Sequence, residues 1–318
     1  MTLATVHSMT RAGRDVLLIE LRPTHDSTFP AATAGAHVDL HLGPVVRQYS
    51  LLGDPRDAGR WLIAVKREDA GRGGSDVIHT QLRVGHTVEV SGPRNHFPLD
   101  HASDQTGRTV LLAGGIGVTP LAAMAEQCDA TGREFTLHCY ASAQDEVPLR
   151  DHLAARPWAS GVVEHLSNDG DSLRTADTLP QSYRPGDDLY ICGPAGFIAR
   201  ALELAEADGW PTDAVHVEHF APTEVPDLTG DAFTVTVAST GASYPVAEHD
   251  TIAEVLAAHG VAVDLSCEQG ICGSCLTGVV DGVPDHRDEV QSPNEHAANT
   301  QVTLCCSRSR TANLTLAL

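Results

Sequence analysis

Four cysteines in the last fifth of the chain have the spacing of a metal-cluster ligand set. Cys267, Cys272 and Cys275 follow the pattern C-x4-C-x2-C, and Cys305 comes after a further 29 residues. A plant-type [2Fe–2S] cluster takes three thiolates from one short loop and a fourth from a more distant segment. The sequence therefore predicts an iron–sulfur centre in this region.

The residues alone leave two features of this centre undecided: which metal it binds, and which cysteine is the fourth ligand. Zinc is the main alternative metal, although zinc ligands more often come as two C-x2-C pairs and only Cys272 and Cys275 form one. Cys305 and Cys306 are adjacent, and only one of them can be the fourth ligand. On a strand-like segment their side chains would point to opposite faces, so one would face the metal and the other would pack elsewhere.

Two glycine-containing turns are candidates for binding a dinucleotide. In AGGIGVTPL (113–121), Gly115 and Gly117 remove side chains where the backbone must approach a pyrophosphate, and the following helix N-terminus is electropositive. The pattern is not G-x-G-x-x-G, so the fingerprint of the ordinary dehydrogenases is absent. Cys192 and Gly193 end another buried strand, at the edge where doubly wound sheets bind ligands, and a tight strand-to-helix turn is the alternative explanation.

Two weaker motifs in the first hundred residues are suited to a flavin. Arg47 has a planar fork of donors that fits a phosphate, Tyr49 could lie on the isoalloxazine ring, and Ser50 could bind the ring edge. RGGS (72–75) offers backbone N–H groups to a phosphate. Each motif alone is weak, because such an arginine is usually solvated and Gly-Gly is usually a turn.

The elements that must position these residues change in type along the chain. Short apolar runs separated by turns predict an antiparallel barrel or sandwich in the first hundred residues, with a helix-like pattern only at 76–82. The predicted strands there are VLLIEL (16–21), HVDLHL (37–42), WLIAVKRE (61–68) and HTVEVSG (86–92).

From residue 108 the pattern is that of a doubly wound α/β domain extending to about residue 220. RTVLLAGG (108–115) has the continuous apolar character of a strand buried on both faces. The helix after it is predicted to have Thr119 as its N-cap and Gly132 as its terminator. The further strands are 134–142, 161–167 and 188–194, and the further helices are 148–157 and 195–209.

A third region follows a predicted linker, APTEVPDLTGD (221–231). A hairpin is expected at 232–248, and TIAEVLAAHG (251–260) is typical of a short amphipathic helix. Within the cysteine-rich region, the triplet His286-Arg287-Asp288 imitates the catalytic loop of protein kinases. No partner asparagine, glycine loop or metal-binding aspartate accompanies it, so the sequence assigns it no chemistry.

These motifs occur together in a known family. Over essentially its whole length the chain resembles the phthalate dioxygenase reductase and vanillate demethylase reductase family. RQYSLL (47–52) and RGGS (72–75) resemble its flavin motifs, AGGIGVTPL (113–121) and CGPAGF (192–197) its nucleotide motifs, and CEQGICGSC (267–275) and LCCSR (304–308) its cluster loops. The resemblance implies an antiparallel FMN-binding β-barrel at 1–103, a doubly wound α/β NAD-binding domain at 104–222 and a β-grasp plant-type ferredoxin domain at 223–318.

The resemblance also implies which residues bind the cofactors. The family has an x-S-R triplet after the fourth thiolate, which selects Cys305 over Cys306, and it places Thr119 and the aromatic at Phe220 against the flavin. The implied metal ligands are Cys267, Cys272, Cys275 and Cys305. The implied flavin and nucleotide residues are Arg47, Tyr49, Ser50, Val65, Lys66, Arg72, Gly73, Gly74, Ser75, Gly115, Gly117, Thr119, Cys192, Gly193 and Phe220.

The function implied is that of an NADH-dependent oxidoreductase, the reductase component of a multicomponent oxygenase. Electrons would pass from NADH to FMN, then to the [2Fe–2S] cluster, and then to a Rieske-type oxygenase. No side chain is expected to perform acid–base or nucleophilic catalysis, because the cofactors carry the chemistry. The alternatives are a reductase partner of a cytochrome P450, a redox-sensing iron–sulfur module without turnover, and a flavin-free zinc protein.

NADH is favoured over NADPH because CYASAQDE (139–146) contains no Arg or Lys to receive a 2′-phosphate. Asp145 and Glu146 would repel such a phosphate. Asp169, after the next strand, is the expected ribose partner. Relatives often have an arginine shortly after the 139–146 strand, and its absence leaves the adenosine contacts open.

Charge limits the partners. The chain has 21 basic and 42 acidic side chains, a formal charge of −21, so neither nucleic acid nor an anionic membrane is expected to bind it. No signal peptide or membrane-spanning run is apparent, and we expect a cytoplasmic monomer. Residues 223–318 carry −10 of the total charge, about twice the density of the remaining chain. This acidity predicts a basic docking patch on the oxygenase.

Overall fold

The computed structural model describes residues 1–24, 27–43, 45–54, 56–68, 71, 73–99 and 107–318. The chain divides into two compact units, Met1–Phe220 and Ala221–Leu318. Across these described ranges, no helix has both the length and the apolar character needed to cross a membrane.

The first unit begins with a closed antiparallel barrel of six strands in the order β1-β2-β5-β4-β3-β6. The four strands expected from the apolar runs are present, and a short helix lies where the helix-like pattern was noted. Two strands were missed, because β1 buries little more than Ala4 and Val6 and β4 is rich in polar residues. The elements are β1 Thr2–Arg11, β2 Val16–Pro23, β3 His37–Leu42, β4 Val45–Leu52, β5 Trp61–Lys66, α1 Gly74–Thr80 and β6 Thr87–Arg94.

The second half of this unit is a parallel five-stranded sheet in the order β11-β10-β7-β8-β9. Chain order therefore reverses between β7 and β10, the place where doubly wound sheets bind ligands. The predicted strands and helices are all found, although the helix expected at 148–157 is shorter. The elements are β7 Thr109–Gly114, α2 Val118–Thr131, β8 Phe135–Ala141, α3 Arg150–Ala154, β9 Val162–Leu166, β10 Asp188–Cys192, α4 Ala195–Ala207 and β11 Val215–Glu218.

The start of helix α2 differs from the prediction that Thr119 would be its N-cap. A single 3-10 turn at Gly115–Gly117 runs directly into the helix, so Gly117 takes the cap position. Thr119 lies inside the first turn, and its hydroxyl donates to the Ile116 carbonyl (3.1 Å) instead of capping an amide. The predicted terminator is confirmed, since Gly132 ends the helix with a φ of 73°.

The second unit is a five-stranded mixed sheet in the order β13-β12-β18-β14-β16, with a separate two-stranded pair, β15 and β17. The expected hairpin is β12–β13, and Thr251 begins the expected helix α5 with a capping box to Glu254. The elements are β12 Phe233–Val237, β13 Ser243–Val246, α5 Ile252–Ala258, β14 Leu276–Asp281, β15 Pro284–Asp285, α6 Pro293–Ala298, β16 Gln301–Thr303, β17 Arg308–Ser309 and β18 Asn313–Leu316.

Much of the segment predicted as a linker is attached to the second unit. The buried Arg308 donates hydrogen bonds to the carbonyls of Leu228 (2.9 Å), Gly230 (3.2 Å) and Asp231 (3.1 Å). Arg287 also donates to the carbonyl of Thr229 at 2.7 Å. Composition alone cannot show this, because the two arginines are far away in sequence.

Candidate functional site

The four predicted ligand cysteines come together in the second unit. All four are buried, and the Cys305 thiol is within hydrogen-bonding reach of both Cys267 and Cys275. Cys267 is likewise within reach of Cys272. Four convergent thiols from one loop and one distant segment fit a [2Fe–2S] cluster, which is bound by four thiolates.

The loop around these thiols offers hydrogen bonds to sulfur. The amide of Gln269 donates to Cys267 Sγ at 3.3 Å, and Cys272 Sγ lies 3.2 Å from the hydroxyl oxygen of Ser274. Gly270 has a φ of 77°, and a Cβ at this position would lie only 2.7 Å from Cys306 Sγ. Hydrogen bonds to the ligand sulfurs tune an iron–sulfur centre, and Gly270 lets the loop pack closely against Cys306.

Cys305 and Cys306 are distinguished by their contacts rather than by strand alternation. Strand β16 ends at Thr303, and the two cysteines lie in a turn instead of the expected strand-like segment. Cys306 Sγ packs on Gly270 and lies 3.3 Å from Thr303 Oγ1. The geometry thus places Cys305 with the other ligands and leaves Cys306 behind them.

A second candidate site is formed by Arg47 on β4 and the start of α1. The Arg47 side chain crosses Gly74, so closely that a Cβ there would lie 2.4 Å from Arg47 Cγ. Gly73 precedes the helix with a φ of 81° and is exposed. Ser75 Oγ accepts a hydrogen bond from the amide of Glu68 (3.1 Å), and Arg72 lies outside the described residues. This cradle of a guanidinium and glycine amides fits a flavin phosphate.

The other predicted flavin residues lie on strands β4 and β5, and they differ in burial. Tyr49 is partly buried on β4, and burial raises the pKa of its phenol, so it stays protonated; Ser50 beside it is buried. On β5, successive side chains point to opposite faces of the barrel wall. Val65 packs inside the barrel, and its backbone carbonyl lies 3.0 Å from His79 Nε2. Lys66, the only lysine in the chain, points outward and pairs with Glu68 at 3.0 Å.

Replacing Gly74 by alanine is expected to lower the flavin content of the purified protein about tenfold. The new methyl group would displace the Arg47 side chain from the cradle and remove a phosphate contact worth about 1.5 kcal/mol or more. Flavin released by denaturation is the measurement. Gly59→Ala is the control, because Gly59 is exposed, has no left-handed φ, and would bring a Cβ only into ordinary contact with the Asp57 side chain at 3.5 Å. An unchanged flavin content in Gly74→Ala would contradict the phosphate assignment.

The predicted nucleotide turns meet where the chain order of the parallel sheet reverses. Gly115 has open space beside it and a φ of 53°, whereas a Cβ at Gly117 would lie 2.2 Å from the Cys192 carbonyl oxygen. A Cβ at Gly193 would lie 2.9 Å from the Cα of Gly114. Gly117 and Gly193 therefore allow the two turns to pack together, and Gly115 is the glycine whose open side is available to a ligand.

A cavity of about 770 Å³ opens at this edge of the sheet, within the first unit. It is lined by Gly115 but not by Gly117, and by Asp171 but not by Asp169, the expected ribose partner. Barrel residues, including Lys66, form part of its wall. The remaining lining residues are Arg14, Asp15, Val16, Gly114, Ile116, Tyr140, Ala141, Ser142, Glu146, Pro148, Ser167, Ser172, Leu173, Arg174, Pro194, Gly196, Phe197 and Arg200.

Asp171 is held in this cavity by a chain of histidines. Its carboxylate lies 2.9 Å from His165 Nδ1, and His165 Nε2 lies 2.9 Å from Nδ1 of the buried His138. Tyr140 stacks on the His165 ring at 4.3 Å. The pKa of His138 is lowered to about 4, chiefly by burial and also by the charge of His165. No sequence motif marked these residues, although they lie on or just after parallel strands.

Glu218 is a further residue that the sequence analysis missed. It ends β11 and pairs in register with Cys192 on β10, the buried cysteine of the second nucleotide motif. Burial raises the pKa of its carboxyl group to about 8, and its Oε2 atom has no hydrogen-bond partner among the described residues. The one sequence feature that could have drawn attention to Glu218 is its position two residues before Phe220. Phe220 is the last residue of the first unit and is 41% exposed.

The predicted residue Thr119 is buried, on a helix that touches both halves of the first unit. Helix α2 packs against β4, which carries Arg47 and Tyr49, as well as against β7 and β8. The flavin motif on β4 and the first nucleotide turn are therefore positioned by the same helix. This packing fits a flavin and a dinucleotide that must meet.

Two family models match the chain. Residues 3–98 match an oxidoreductase FAD-binding domain, and residues 235–310 match a 2Fe-2S iron-sulfur cluster binding domain. The chain is 40% identical to vanillate O-demethylase oxidoreductase of Pseudomonas sp. (strain HR199 / DSM 7063), over 98% of both chains. These matches show a flavin domain and an iron–sulfur domain in one oxidoreductase.

Solved structures have the same fold. The structure of phthalate dioxygenase reductase is 34% identical, with a TM-score of 0.70 over 99% of this chain and 97% of the other. An intact type IV self-sufficient cytochrome P450 monooxygenase is 38% identical, with a TM-score of 0.89 over the whole of this chain, which spans 41% of that longer protein. The chain belongs to the family of flavin- and [2Fe–2S]-containing oxygenase reductases that includes phthalate dioxygenase reductase and vanillate O-demethylase oxidoreductase.

Proposed function

We propose that this protein is the NADH-dependent reductase component of a multicomponent oxygenase, with FMN and a [2Fe–2S] cluster, and that it serves a Rieske-type oxygenase. The observation that carries the proposal is the cavity in the first unit, whose wall combines Lys66 of the barrel with Gly115 at the end of β7. A dinucleotide in this cavity would lie beside the strands that bear the flavin motif. The relatives named vanillate O-demethylase oxidoreductase and phthalate dioxygenase reductase support the oxygenase role.

The chain's own residues bind and orient the cofactors. When bound, the flavin takes two electrons as a hydride and the cluster takes one electron at a time. Arg47 and the amides after Gly73 would hold the flavin phosphate, and the neutral Tyr49 would line the ring. Cys267, Cys272, Cys275 and Cys305 would hold the cluster, and Cys192, Gly193, Thr119 and Phe220 would border the meeting point of nicotinamide and flavin.

FMN rather than FAD is part of the proposal. It rests on the resemblance to the FMN-containing family, and the compact Arg47–Gly74 cradle is suited to a single terminal phosphate. Flavin released from the purified protein should co-migrate with FMN in liquid chromatography and should be unchanged by a phosphodiesterase. Release of FAD would contradict this assignment without affecting the reductase proposal.

The preference for NADH is proposed to depend on Asp171. A carboxylate that accepts hydrogen bonds from a ribose diol repels a 2′-phosphate at the same place. Glu146 adds a second acidic group in the cavity, although it pairs with Arg14 at 2.8 Å. Arg174 lines the same cavity, and its guanidinium has no hydrogen bond or ion pair to the described residues, so we assign it to the pyrophosphate.

The substitution Asp171→Asn is expected to raise the KM for NADH about tenfold. It should also reduce the preference of the protein for NADH over NADPH. The loss of a charge-assisted hydrogen bond costs about 1.5 kcal/mol, and the repulsion of a 2′-phosphate disappears with the charge. Steady-state reduction of ferricyanide with both nucleotides measures this. Asp169→Asn is the matched control, because Asp169 does not line the cavity. A larger effect in the control would move the ribose site to Asp169.

The test of the function as a whole is reconstitution with candidate oxygenases. The purified protein should absorb visible light as a flavin and an iron–sulfur centre together, and NADH should bleach both. With the right oxygenase, NADH consumption should be coupled to product formation and should slow as salt rises, because residues 223–318 carry a charge of −10. A colourless zinc protein would contradict the proposal.

A cytochrome P450 is the second candidate acceptor. The observation that favours it is the TM-score of 0.89 to the self-sufficient P450 monooxygenase, which exceeds the 0.70 to phthalate dioxygenase reductase. The two acceptors are distinguished by reconstitution, since a P450 partner would give a carbon monoxide difference spectrum after NADH addition and a Rieske oxygenase would not.

A further inference from the structure

The triplet His286-Arg287-Asp288, to which the sequence assigned no chemistry, lies directly behind the iron–sulfur loop. The Asp288 side chain is completely buried. Its carboxylate accepts hydrogen bonds from the amide of Gln291 (3.0 Å), from Gln291 Nε2 (3.2 Å) and from Thr303 Oγ1 (3.2 Å), and it lies 3.2 Å from His296 Nε2. A buried carboxylate is tolerated only with such a set of donors, and here the donors satisfy it.

Asp288 touches both segments that supply the cluster thiolates. On one side, a Cβ at Gly270 of the ligand loop would lie 3.0 Å from Asp288 Cα, and the amides of Glu289 and Val290 donate to the Gly270 carbonyl at 3.0 and 3.2 Å. The three-ligand loop therefore rests on the backbone of the 288–290 turn.

On the other side, Asp288 is bonded to the segment that carries Cys305. Thr303 Oγ1, which donates to Asp288, lies 2.7 Å from Ser307 Oγ and 3.3 Å from Cys306 Sγ. Ser307 in turn accepts a hydrogen bond from the amide of Arg287 at 3.2 Å. The residues on both sides of Cys305 are thus fixed to the same buried carboxylate.

We propose that Asp288 is a positioning residue of the iron–sulfur centre. Its buried carboxylate holds the segment of the fourth ligand against the turn that supports the other three. Its negative charge, placed behind the ligand loop at Gly270 in a region of low dielectric, disfavours the addition of an electron and lowers the midpoint potential of the centre. This inference rests on the proposed cluster and its four ligands.

A separate metal site at the same residues is the less favoured explanation. His286, Asp288 and His296 place ligand-type atoms within 4.8 Å of one another. However, Gln291 Nε2 lies among them, 3.4 Å from His286 Nδ1 and 3.2 Å from Asp288 Oδ1, and the Asn299 side-chain oxygen lies 3.2 Å from His286 Nε2. The polar groups are therefore satisfied by hydrogen bonds without an ion.

The test is the midpoint potential of the holoprotein carrying Asp288→Asn, followed by electron paramagnetic resonance during a redox titration. The variant keeps the shape of the side chain and removes its charge. We expect the cluster to remain and its reduction to become about tenfold more favourable, a rise of about 59 mV for a one-electron couple. Asp281→Asn removes an exposed charge from the same unit, and it should change the reduction equilibrium less than twofold because solvent screens that charge.

A second pair of variants keeps the inference testable if Asp288→Asn does not retain the cluster. Thr303→Val and Ser307→Ala leave the carboxylate in place and remove the hydroxyl groups that tie it to the Cys305 segment. We expect each to shorten the half-life of the cluster in the presence of an iron chelator severalfold, whereas Asp281→Asn should not. A wild-type potential in Asp288→Asn, or wild-type lifetimes in both hydroxyl variants, would overturn the inference. A wild-type protein without any cluster would instead contradict the proposed function.

Discussion

Cys305→Ser is expected to abolish the iron–sulfur centre while leaving the flavin in place. Cys305 is the only one of the two adjacent cysteines whose thiol reaches both Cys267 and Cys275, so its loss removes the fourth ligand. Bound iron should fall to background, and electron transfer from NADH to an oxygenase should decrease at least about a hundredfold. Reduction of ferricyanide, which needs only the flavin, should be retained. Iron analysis and the two assays measure these effects.

The neighbouring cysteine supplies a matched control for this experiment. Cys306→Ser changes the same chemistry one residue away, but Cys306 packs behind the loop, on Gly270 and Thr303. Its iron content and coupled activity should stay within about twofold of the wild type. The opposite outcome, loss of iron in Cys306→Ser and retention in Cys305→Ser, would exchange the two residues and would contradict the placement of Cys305.

Glu218→Gln is expected to change how the stability of the first unit depends on pH. Burial raises the pKa of Glu218 to about 8, whereas a glutamate in an unfolded chain titrates near 4.3. The folded protein therefore holds a proton that the unfolded chain releases across this interval. The contribution of Glu218 to the free energy of unfolding should therefore fall as pH rises between about 4.3 and 8, by an amount on the order of 4–5 kcal/mol.

The glutamine variant should lack this contribution because its side chain stays neutral. At pH 5 the two proteins should be similar in stability, and by pH 8 the variant should be the more stable. Thermal unfolding followed across this pH range measures the difference. Glu206→Gln, at an exposed position on α4, should leave the profile unchanged. Parallel profiles for wild type and Glu218→Gln would show that Glu218 is not held neutral.

The two experiments address different parts of the electron path. Cys305 belongs to the centre from which electrons would leave the protein, and Glu218 lies beside Cys192 at the edge where the nicotinamide is proposed to bind. Burial, which raises the pKa of Glu218, favours the neutral form of this carboxyl group beside Cys192.

The order of elements and the chemical classes of the sites were accessible from the chain alone. Apolar runs of different period distinguish the barrel strands from the parallel strands around 108–115 and 188–194. The C-x4-C-x2-C spacing identifies an iron–sulfur loop. Three thiolates on one short loop are brought together by the loop itself, so their separation in the sequence is sufficient to recognise them. The glycine-containing turns could be placed at strand ends for the same reason, since their function is local.

The choice among neighbouring candidates depended on contacts between distant segments. Cys305 differs from Cys306 because the chain turns after β16, and Asp171 rather than Asp169 lines the cavity. Position 117 needs a glycine because a side chain there would collide with the Cys192 carbonyl, 75 positions away in the chain. Asp288 stood out in the chain only as part of a triplet without assigned chemistry, and Glu218 only by its position near Phe220. A carboxyl group acquires an unusual role only when other segments bury it. Residue type and spacing thus specify which chemistry is available, and tertiary packing specifies which side chain performs it.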